Sequence, residues 1–279
     1  MITLENDELI LSVIDPAEDL SLAGSRYCTG GYVFQIEHRE FGPIFSGPEH
    51  PGIPSGYNGQ GIPETFCLQP IKLSAHEDRF LNLGVGITDA QFRKTFTPAR
   101  WFEERKSSCL LHSTVHCLEE ESLEIHLRRK IAFSKNLVSS KTEIRNEGRN
   151  AIPITWFPHP FFYHPANTSD AWVECAGLRS RTTREPMALV QRDLRAKEYP
   201  FERPFVQTFS FASDKERFSA FIRSRPFNLT MRTDYIPSVV VFYSNDQCFS
   251  LEPYFERQCQ PGEVLELEVS YLIHSNVNN

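Results

Sequence analysis

Hydrophobic residues recur at every second position through most of this chain, and this alternation limits what the chain can fold into. The segment 264–273 shows it most clearly, because its apolar residues alternate with Glu266 and Glu268. Successive side chains of a β-strand point to opposite faces, so a period of two predicts a strand with one buried and one solvated face. The same pattern predicts an opening hairpin and nine further strands, at residues 2–4, 9–14, 31–36, 109–117, 123–131, 137–144, 152–157, 205–211, 218–222, 227–232 and 238–243.

Helical spacing is rare in the sequence. Residues 185–196 alone favour a helix, on the spacing of the apolar residues Met187, Leu189, Val190 and Leu194. Many strands joined by short turn-forming stretches predict an all-β fold, either a sandwich or a barrel. Hydrophobic residues make up 40% of the 279 positions, which fills a large core and excludes a disordered chain. Because no repeat or linker interrupts the pattern, we predict a single domain over residues 1–279.

Charge and cysteine content exclude several classes of protein. The net charge of −7 and the mixing of both signs argue against nucleic acid or an anionic membrane as a partner. No apolar run approaches the roughly 18 residues of a membrane span, and the first residues lack the basic and apolar regions of a secretory signal. Seven cysteines without a CxxC pair indicate reduced thiols, so we expect a cytoplasmic protein. The oligomeric state is left open.

The segment 146–162 contains the first candidate for chemistry. Its predicted strand ends at Pro158, and His159 lies between that proline and Pro160. Proline fixes φ and lacks an N–H, so His159 is expected at a stiff strand exit rather than inside a sheet ladder. An imidazole beside aromatic residues suits a sugar-binding wall with a group that exchanges protons near neutral pH. The alternative is a packed or surface histidine without a role.

The segment 248–254 contains the second candidate. Phe249 and Leu251 alternate with Ser250 and Glu252 along a predicted strand, which Pro253 is expected to stop. A carboxylate at a strand end among aromatic residues is partly desolvated, which raises its pKa and suits a general base. The alternative is a solvated glutamate.

The proline- and glycine-rich segment 42–70 is predicted to be a long ordered loop. Its tight backbone could present Asn58, Gln60 and Glu64 to sugar hydroxyls, although a purely structural loop is the alternative. The chain has no glycine-rich nucleotide loop, no histidine spacing typical of a metal site and no GxSxG elbow. We therefore expect neither a cofactor nor a metal.

These segments together resemble the aldose 1-epimerase (galactose mutarotase-like) superfamily. The resemblance spans residues 20–275 and rests on four short motifs in order: Gly24-Ser25-Arg26-Tyr27, Gly61-Ile62-Pro63, His159-Pro160-Phe161-Phe162 and Leu251-Glu252-Pro253-Tyr254. It implies a large antiparallel β-supersandwich that exchanges the α and β anomers of a free sugar without a cofactor. It also implies that His159 is the general acid at the ring oxygen and Glu252 the general base at the anomeric hydroxyl.

The chain departs from the family pattern at three places. The stretch 80–86 lacks the histidine of the family's His-Gly motif. Gly59, in Gly59-Gln60-Gly61-Ile62-Pro63, stands where the phosphosugar branch has an arginine, and the family's sugar-binding aspartate has no clear counterpart. The candidate sugar contacts are Gln60, Glu64, Trp156, Arg26 and His76. Retention of both proton-transfer residues favours an epimerase that acts on a hexose or related sugar. The missing histidine favours the alternative, a non-catalytic carbohydrate-binding sandwich, and a third hypothesis is a structural or protein-interaction sandwich.

Overall fold

Nearly all regular structure in this chain is β-strand, which confirms the predicted all-β class. The computed structural model describes residues 1–55, 57–74, 78–106, 108–180, 185–212 and 217–274. Within these ranges the helices are one short α-helix, α1 (Leu20–Ala23), and one 3₁₀ turn, Glu119–Glu121. No helix in the described ranges has the length and apolarity needed to span a membrane.

The strands are numbered in chain order. The first nine are β1 (Ile2–Glu5), β2 (Leu9–Val13), β3 (Val33–His38), β4 (Gly42–Pro43), β5 (Glu64–Thr65), β6 (Ile71–Lys72), β7 (Phe80–Asn82), β8 (Gly86–Thr88) and β9 (Thr95–Pro98). The next eight are β10 (Phe102–Lys106), β11 (Cys109–Leu118), β12 (Leu123–Ser134), β13 (Leu137–Asn146), β14 (Ile152–Pro158), β15 (Phe162–Tyr163), β16 (Val173–Cys175) and β17 (Leu178–Ser180). The last eight are β18 (Met187–Val190), β19 (Asp193–Ala196), β20 (Phe205–Phe211), β21 (Ser219–Ile222), β22 (Asn228–Thr233), β23 (Val239–Ser244), β24 (Cys248–Cys259) and β25 (Val264–His274).

Two large antiparallel sheets form the body of the described structure. One has ten strands in the order β10-β11-β12-β13-β25-β22-β21-β16-β19-β18. The other has seven, in the order β17-β20-β23-β24-β14-β5, with β15 paired to β24 off this path. Two four-stranded sheets, β1-β2-β3-β4 and β6-β7-β8-β9, flank them. The predicted opening hairpin is present as β1 and β2.

The hydrophobic core lies between the sheets because their long strands alternate as the sequence predicts. In β12 and β25 every second side chain is buried, and one hydrophobic cluster contains residues from Ile2 to Ile273. This continuity favours one domain over residues 1–279, which stays a prediction. All seven cysteines are free thiols.

The predicted helix at 185–196 is wrong. These residues form the hairpin β18–β19, which turns at Gln191 and Arg192 with φ of 57° at Gln191. The apolar spacing was ambiguous because, over so short a window, the period-two and helical patterns overlap. Tertiary pairing decides the outcome, since Leu194 pairs with Val173 of β16 and is fully buried.

Pro253 does not stop its strand, contrary to the prediction. β24 continues to Cys259, and Tyr254 accepts a hydrogen bond from the backbone N–H of Ser238 beside β23. Backbone groups of successive strand residues point to opposite edges, so Pro253 faces the other edge. Among the described residues, no ladder partner occupies that edge between Phe249, which pairs with β15, and Phe255, which pairs with β14. The missing N–H of proline therefore breaks no ladder hydrogen bond.

Candidate active site

A cleft of about 260 Å³ lies on the seven-stranded sheet, and three neighbouring strands form its floor. Glu252 of β24 pairs directly with Val241 of β23, and Tyr243 of β23 pairs with Val206 of β20. Tyr254 lies two residues from Glu252 and therefore on the same face of β24. This volume is just below the roughly 300–1,000 Å³ of typical ligand pockets, so the cleft suits one small ring.

His159 enters the cleft from the strand exit that the sequence predicts. β14 ends at Pro158, and the backbone N–H of His159 then donates to the carbonyl of Pro63 at 2.8 Å. Two residues on, the N–H of Phe161 donates to the carbonyl of Gly61, also at 2.8 Å. The Gly-Ile-Pro loop therefore holds the backbone on both sides of the imidazole. The ring itself contacts Phe161, with centroids 4.6 Å apart, and meets Tyr27 edge-on at 5.7 Å.

Gly61 is required at this point for steric reasons. Its φ is 76°, in the left-handed region, and a Cβ atom there would lie 2.3 Å from the carbonyl oxygen of Phe34. A side chain would have to push backbone aside, which costs more than moving a flexible side chain. The close approach lets the loop run directly beneath His159.

The two candidate catalytic side chains meet in the cleft. His159 Nε2 lies 3.2 Å from Glu252 Oε1. After the role that the sequence predicts for them, these two residues are called the catalytic pair below. The hydroxyl of Tyr254 donates to the other carboxylate oxygen, Glu252 Oε2, at 3.1 Å. Glu252 is only 3% exposed and His159 4%, so the alternative of a solvated glutamate is wrong. Their separation lets one bound group contact both.

Burial shifts the pKa of each member of the catalytic pair toward the uncharged form. Desolvation raises the pKa of Glu252 to about 7, against the opposing effects of the Arg26 charge and the Tyr254 hydrogen bond. Desolvation also lowers the pKa of His159 well below its ordinary 6.5, and the Arg26 charge adds to that effect. Near neutral pH the last titrating proton of the pair therefore resides mainly on Glu252.

The lining of the cleft also includes Arg26 and three loop residues, Pro48, Tyr57 and Asn58. The Arg26 guanidinium carbon lies 5.1 Å from the ring centroids of both Tyr27 and Tyr57. Within the described ranges no carboxylate lies within salt-bridge distance of it. Asn58 also lines the cleft, and its carbonyl accepts a hydrogen bond from Tyr27. Arg26 therefore offers a planar set of N–H donors to whatever occupies the space.

Three of the residues predicted to contact sugar do not line the cleft. Glu64 is buried in the interior, where it pairs with Arg129 and accepts a hydrogen bond from Thr142 at 3.0 Å. Trp156 is fully buried and packs against Tyr235 in the core.

Gln60 instead contacts His50, with its Oε1 3.4 Å from His50 Nδ1, and Tyr163 holds the other imidazole nitrogen at 2.8 Å. His76, the fifth predicted contact, lies outside the described residues. Of the predicted residues, His159, Glu252 and Arg26 meet in the cleft, and Asn58, which the sequence offers from the loop, lines it as well.

Sequence reasoning missed most of the other residues that line the cleft. Tyr254 carries a signal that could have found it, because the period of two places it on the face of Glu252. Val206, Val241 and Tyr243 carry none, because only the order of β20, β23 and β24 brings them beside the pair. No group of three or more His, Cys, Asp or Glu side chains in the described ranges is arranged to hold a metal ion.

The strand topology and the position of the pair define a large antiparallel sandwich with a cleft on one sheet, and several solved structures share this architecture. A galactose mutarotase related enzyme from Lactobacillus acidophilus matches over 100% of this chain and 98% of its own, with a TM-score of 0.64 and 12% identity. A galactose mutarotase-like protein from Lactobacillus casei matches over 98% and 100%, with a TM-score of 0.64 and 12% identity.

A GalM/aldose epimerase homologue from C. elegans matches over 99% of both chains, with a TM-score of 0.58 and 11% identity. No family model and no curated protein matches the chain. The chain thus has the galactose mutarotase-like fold, which confirms the fold that the sequence motifs imply.

Proposed function

We propose that the protein is an aldose 1-epimerase, which interconverts the α and β anomers of a free sugar. The observation that carries the proposal is the contact of 3.2 Å between His159 Nε2 and Glu252 Oε1 inside a buried cleft. Mutarotation moves protons at two oxygens bonded to the same carbon, the ring oxygen and the anomeric hydroxyl. Two proton-transfer groups in contact with each other can serve two such neighbouring oxygens at once.

Ring opening in this scheme uses both groups. Glu252 accepts the proton of the anomeric hydroxyl while His159 Nε2 donates a proton to the ring oxygen, and the bond between the anomeric carbon and the ring oxygen breaks. The product is the open-chain aldehyde. Rotation about the bond between C1 and C2 exposes the other face of the carbonyl, and the reverse transfers close the other anomer. Each positioned proton transfer contributes roughly 10²–10⁴-fold to the rate.

The scheme requires the catalytic pair to hold one transferable proton. With that proton on His159, the pair suits the closed sugar, and with the proton on Glu252 it suits the open aldehyde. The two forms differ by one proton moved across the same contact. The raised pKa of Glu252, about 7, keeps this proton in the pair at neutral pH. Tyr254 fixes the carboxylate and Arg26 binds sugar oxygens.

The alternative is a protein that binds sugar without turning it over. The observation that favours it is the lining of the cleft, in which the side chains of Val206 and Val241 offer no hydrogen bonds. Gln60 and Glu64, which the sequence offers as polar contacts, are engaged elsewhere. A sugar is then held by few polar groups, so its affinity is low and its orientation in the cleft is poorly fixed.

Anomer exchange measured by NMR tests the proposal, with glucose, galactose and their 6-phosphates in dilute buffer. We expect the wild type to accelerate exchange and His159→Ala and Glu252→Gln to lower the rate by at least about 10²-fold. Glu256→Gln is the matched control, because it changes an exposed glutamate on the same strand. Sugar-dependent line broadening without accelerated exchange would favour the binding protein. Acceleration that persists in both variants would refute the assigned residues.

A further inference from the structure

A buried ion pair between Glu64 and Arg129 connects the two large sheets. Glu64 belongs to β5 of the seven-stranded sheet, and Arg129 belongs to β12 of the ten-stranded sheet. Each of the two side chains is only 1% exposed. Among the described residues, and apart from the catalytic pair, every other ion pair has an exposed member. Burial of two charges costs free energy that their attraction seldom returns in full, so stability alone does not account for this pair.

The ten-stranded sheet holds the carboxylate of Glu64 from several directions. Arg129 Nη1 donates to Glu64 Oε2, and Arg129 Nη2 donates to Ser140 Oγ at 3.0 Å and to the carbonyl of Gly31 at 3.3 Å. Thr142 lies directly opposite Arg129 in the register of β12 and β13, and its hydroxyl donates to the same Glu64 oxygen at 3.0 Å. β12 is itself paired on both sides, with β11 and with β13. The side chain of Glu64 is therefore fixed to an interior strand of the opposite sheet.

The segment 63–65, which contains β5, holds two groups of the candidate site. The carbonyl of Pro63 accepts the hydrogen bond from the N–H of His159 at 2.8 Å. The hydroxyl of Thr65 donates to the carbonyl of Arg26 at 2.7 Å. β5 has only two residues and pairs with only the last two residues of β14. Because so short a ladder restrains a segment weakly, the attachment of Glu64 to the other sheet supplies restraint that the ladder lacks.

We infer that the two residues of this buried ion pair are positioning residues, which act through β5 to set where the His159 imidazole lies relative to Glu252. The direct contact with His159 is made by main chain, and the ion pair holds that main chain in place. Displacement of a reacting group by about 1 Å can cost about 10²-fold in rate. The effect on catalysis rests on the proposed function, whereas the effect on the position of the imidazole does not.

The test separates positioning from stability by removing both charges together. Glu64→Gln alone leaves Arg129 buried without its carboxylate, so the variant can lose activity simply because it unfolds. Glu64→Gln combined with Arg129→Met leaves no buried charge and keeps an acceptor for Thr142, so stability should recover toward that of the wild type. The link between the sheets is still missing in this double variant. Glu266→Gln is the matched control, because it makes the same change in an exposed pair with Lys141.

The side-chain ¹⁵N resonances of histidine report on the imidazole without any turnover. The signals of His159 are assigned by their absence from the spectrum of His159→Ala. Because Nε2 lies 3.2 Å from Glu252, we expect its resonance to move in the double variant and to keep its wild-type position in Glu266→Gln. The kcat for anomer exchange should fall at least about tenfold in the double variant and stay unchanged in the control.

A milder variant covers the case in which the double variant does not fold. Thr142→Val removes one hydrogen bond to Glu64 and leaves the ion pair intact, so it should move the same His159 resonance in the same direction but by less. If the double variant unfolds, an unmoved resonance in Thr142→Val would overturn the positioning role.

The outcomes distinguish this inference from the proposed function. A stable double variant with an unmoved His159 resonance and an unchanged kcat would overturn the positioning role and leave the epimerase. A moved resonance in a protein whose wild type exchanges no sugar would remove the epimerase and keep the positioning role. An unmoved resonance together with no exchange by the wild type would overturn both.

Discussion

Glu252→Gln should stabilise the protein at pH 8 while it abolishes the proposed activity. The wild-type carboxyl is buried, and its pKa rises from the ordinary 4.5 to about 7 in the folded state. The folded protein therefore binds this proton more tightly than the unfolded chain. Stability from the protonated carboxyl is complete below pH 4.5 and is lost as the pH rises toward 7. A shift of this size corresponds to about 3 kcal/mol of unfolding free energy.

Glutamine keeps the shape of the protonated carboxyl and has no charge to bury. At pH 4.5 the variant and the wild type should thus have similar unfolding free energies. At pH 8 the variant should be more stable by about 3 kcal/mol. His159 acts in the opposite direction, because its lowered pKa makes stability rise with pH up to 6.5. That contribution is present in both proteins, so it cancels largely in the difference between them.

Urea unfolding at pH 4.5, 6 and 8 measures these free energies, with Glu256→Gln as the exposed control on β24. The control should change stability little at any of the three values. A pH-independent difference between Glu252→Gln and the wild type would refute the burial argument. So would a variant that is less stable at pH 8, since it would mean that the ionised carboxylate is well satisfied in the cleft.

Three further predictions concern the pH dependence of the proposed activity, the packing of Gly61 and the buried ion pair of Glu64. The value of kcat/KM for anomer exchange should fall about tenfold for each pH unit above roughly 7, because the catalytic pair then loses its one transferable proton. A kcat/KM that rises through pH 7 would refute the one-proton scheme. Gly61→Ala should lower the unfolding free energy by more than Gly262→Ala. Both glycines have similar positive φ, but only at Gly61 would the added Cβ atom collide with backbone atoms. Equal losses in thermal unfolding would remove the steric argument. Glu64→Gln should lower the unfolding free energy measured in urea by about 3–5 kcal/mol, because it leaves the buried Arg129 without its carboxylate. Glu266→Gln, in an exposed pair with Lys141, should lower it by at most about 1 kcal/mol. Similar losses for the two variants would contradict the argument from burial of the charge.

The long strands could be predicted because one of their faces is buried and the other is not. β12 and β25 alternate over most of their length, and this pattern is visible in the sequence without any knowledge of their neighbours. β18 and β19 are four residues each, which is too short to distinguish a period of two from helical spacing. Pro253 was misjudged because the edge that a strand residue faces depends on its pairing partners, and those lie far along the chain.

The candidate site divides in the same way. His159 could be found because the prolines on both sides of it end the strand locally. Glu252 could be found because it alternates with apolar residues of the same strand, although that strand does not end at Pro253. Trp156 could not be placed, because β14 is buried on both faces near its end and alternation no longer distinguishes core from cleft. Glu64 could not be placed either, since its orientation depends on Arg129, 65 residues later in the chain.

The proposed proton-transfer groups and the proposed sugar contacts lie on different parts of the structure. Glu252 lies in the middle of a paired strand, and His159 is held by backbone hydrogen bonds to the Gly-Ile-Pro loop, so the geometry of the pair depends on main chain more than on variable side chains. The residues that face the rest of the cleft, such as Asn58 and Tyr57, belong to the preceding loop segment. Under the proposed function, we expect substitutions there to change which sugar binds without moving the pair. Variants of the loop residues Tyr57 and Asn58 therefore test the sugar specificity, and variants of His159 and Glu252 test the proton transfer.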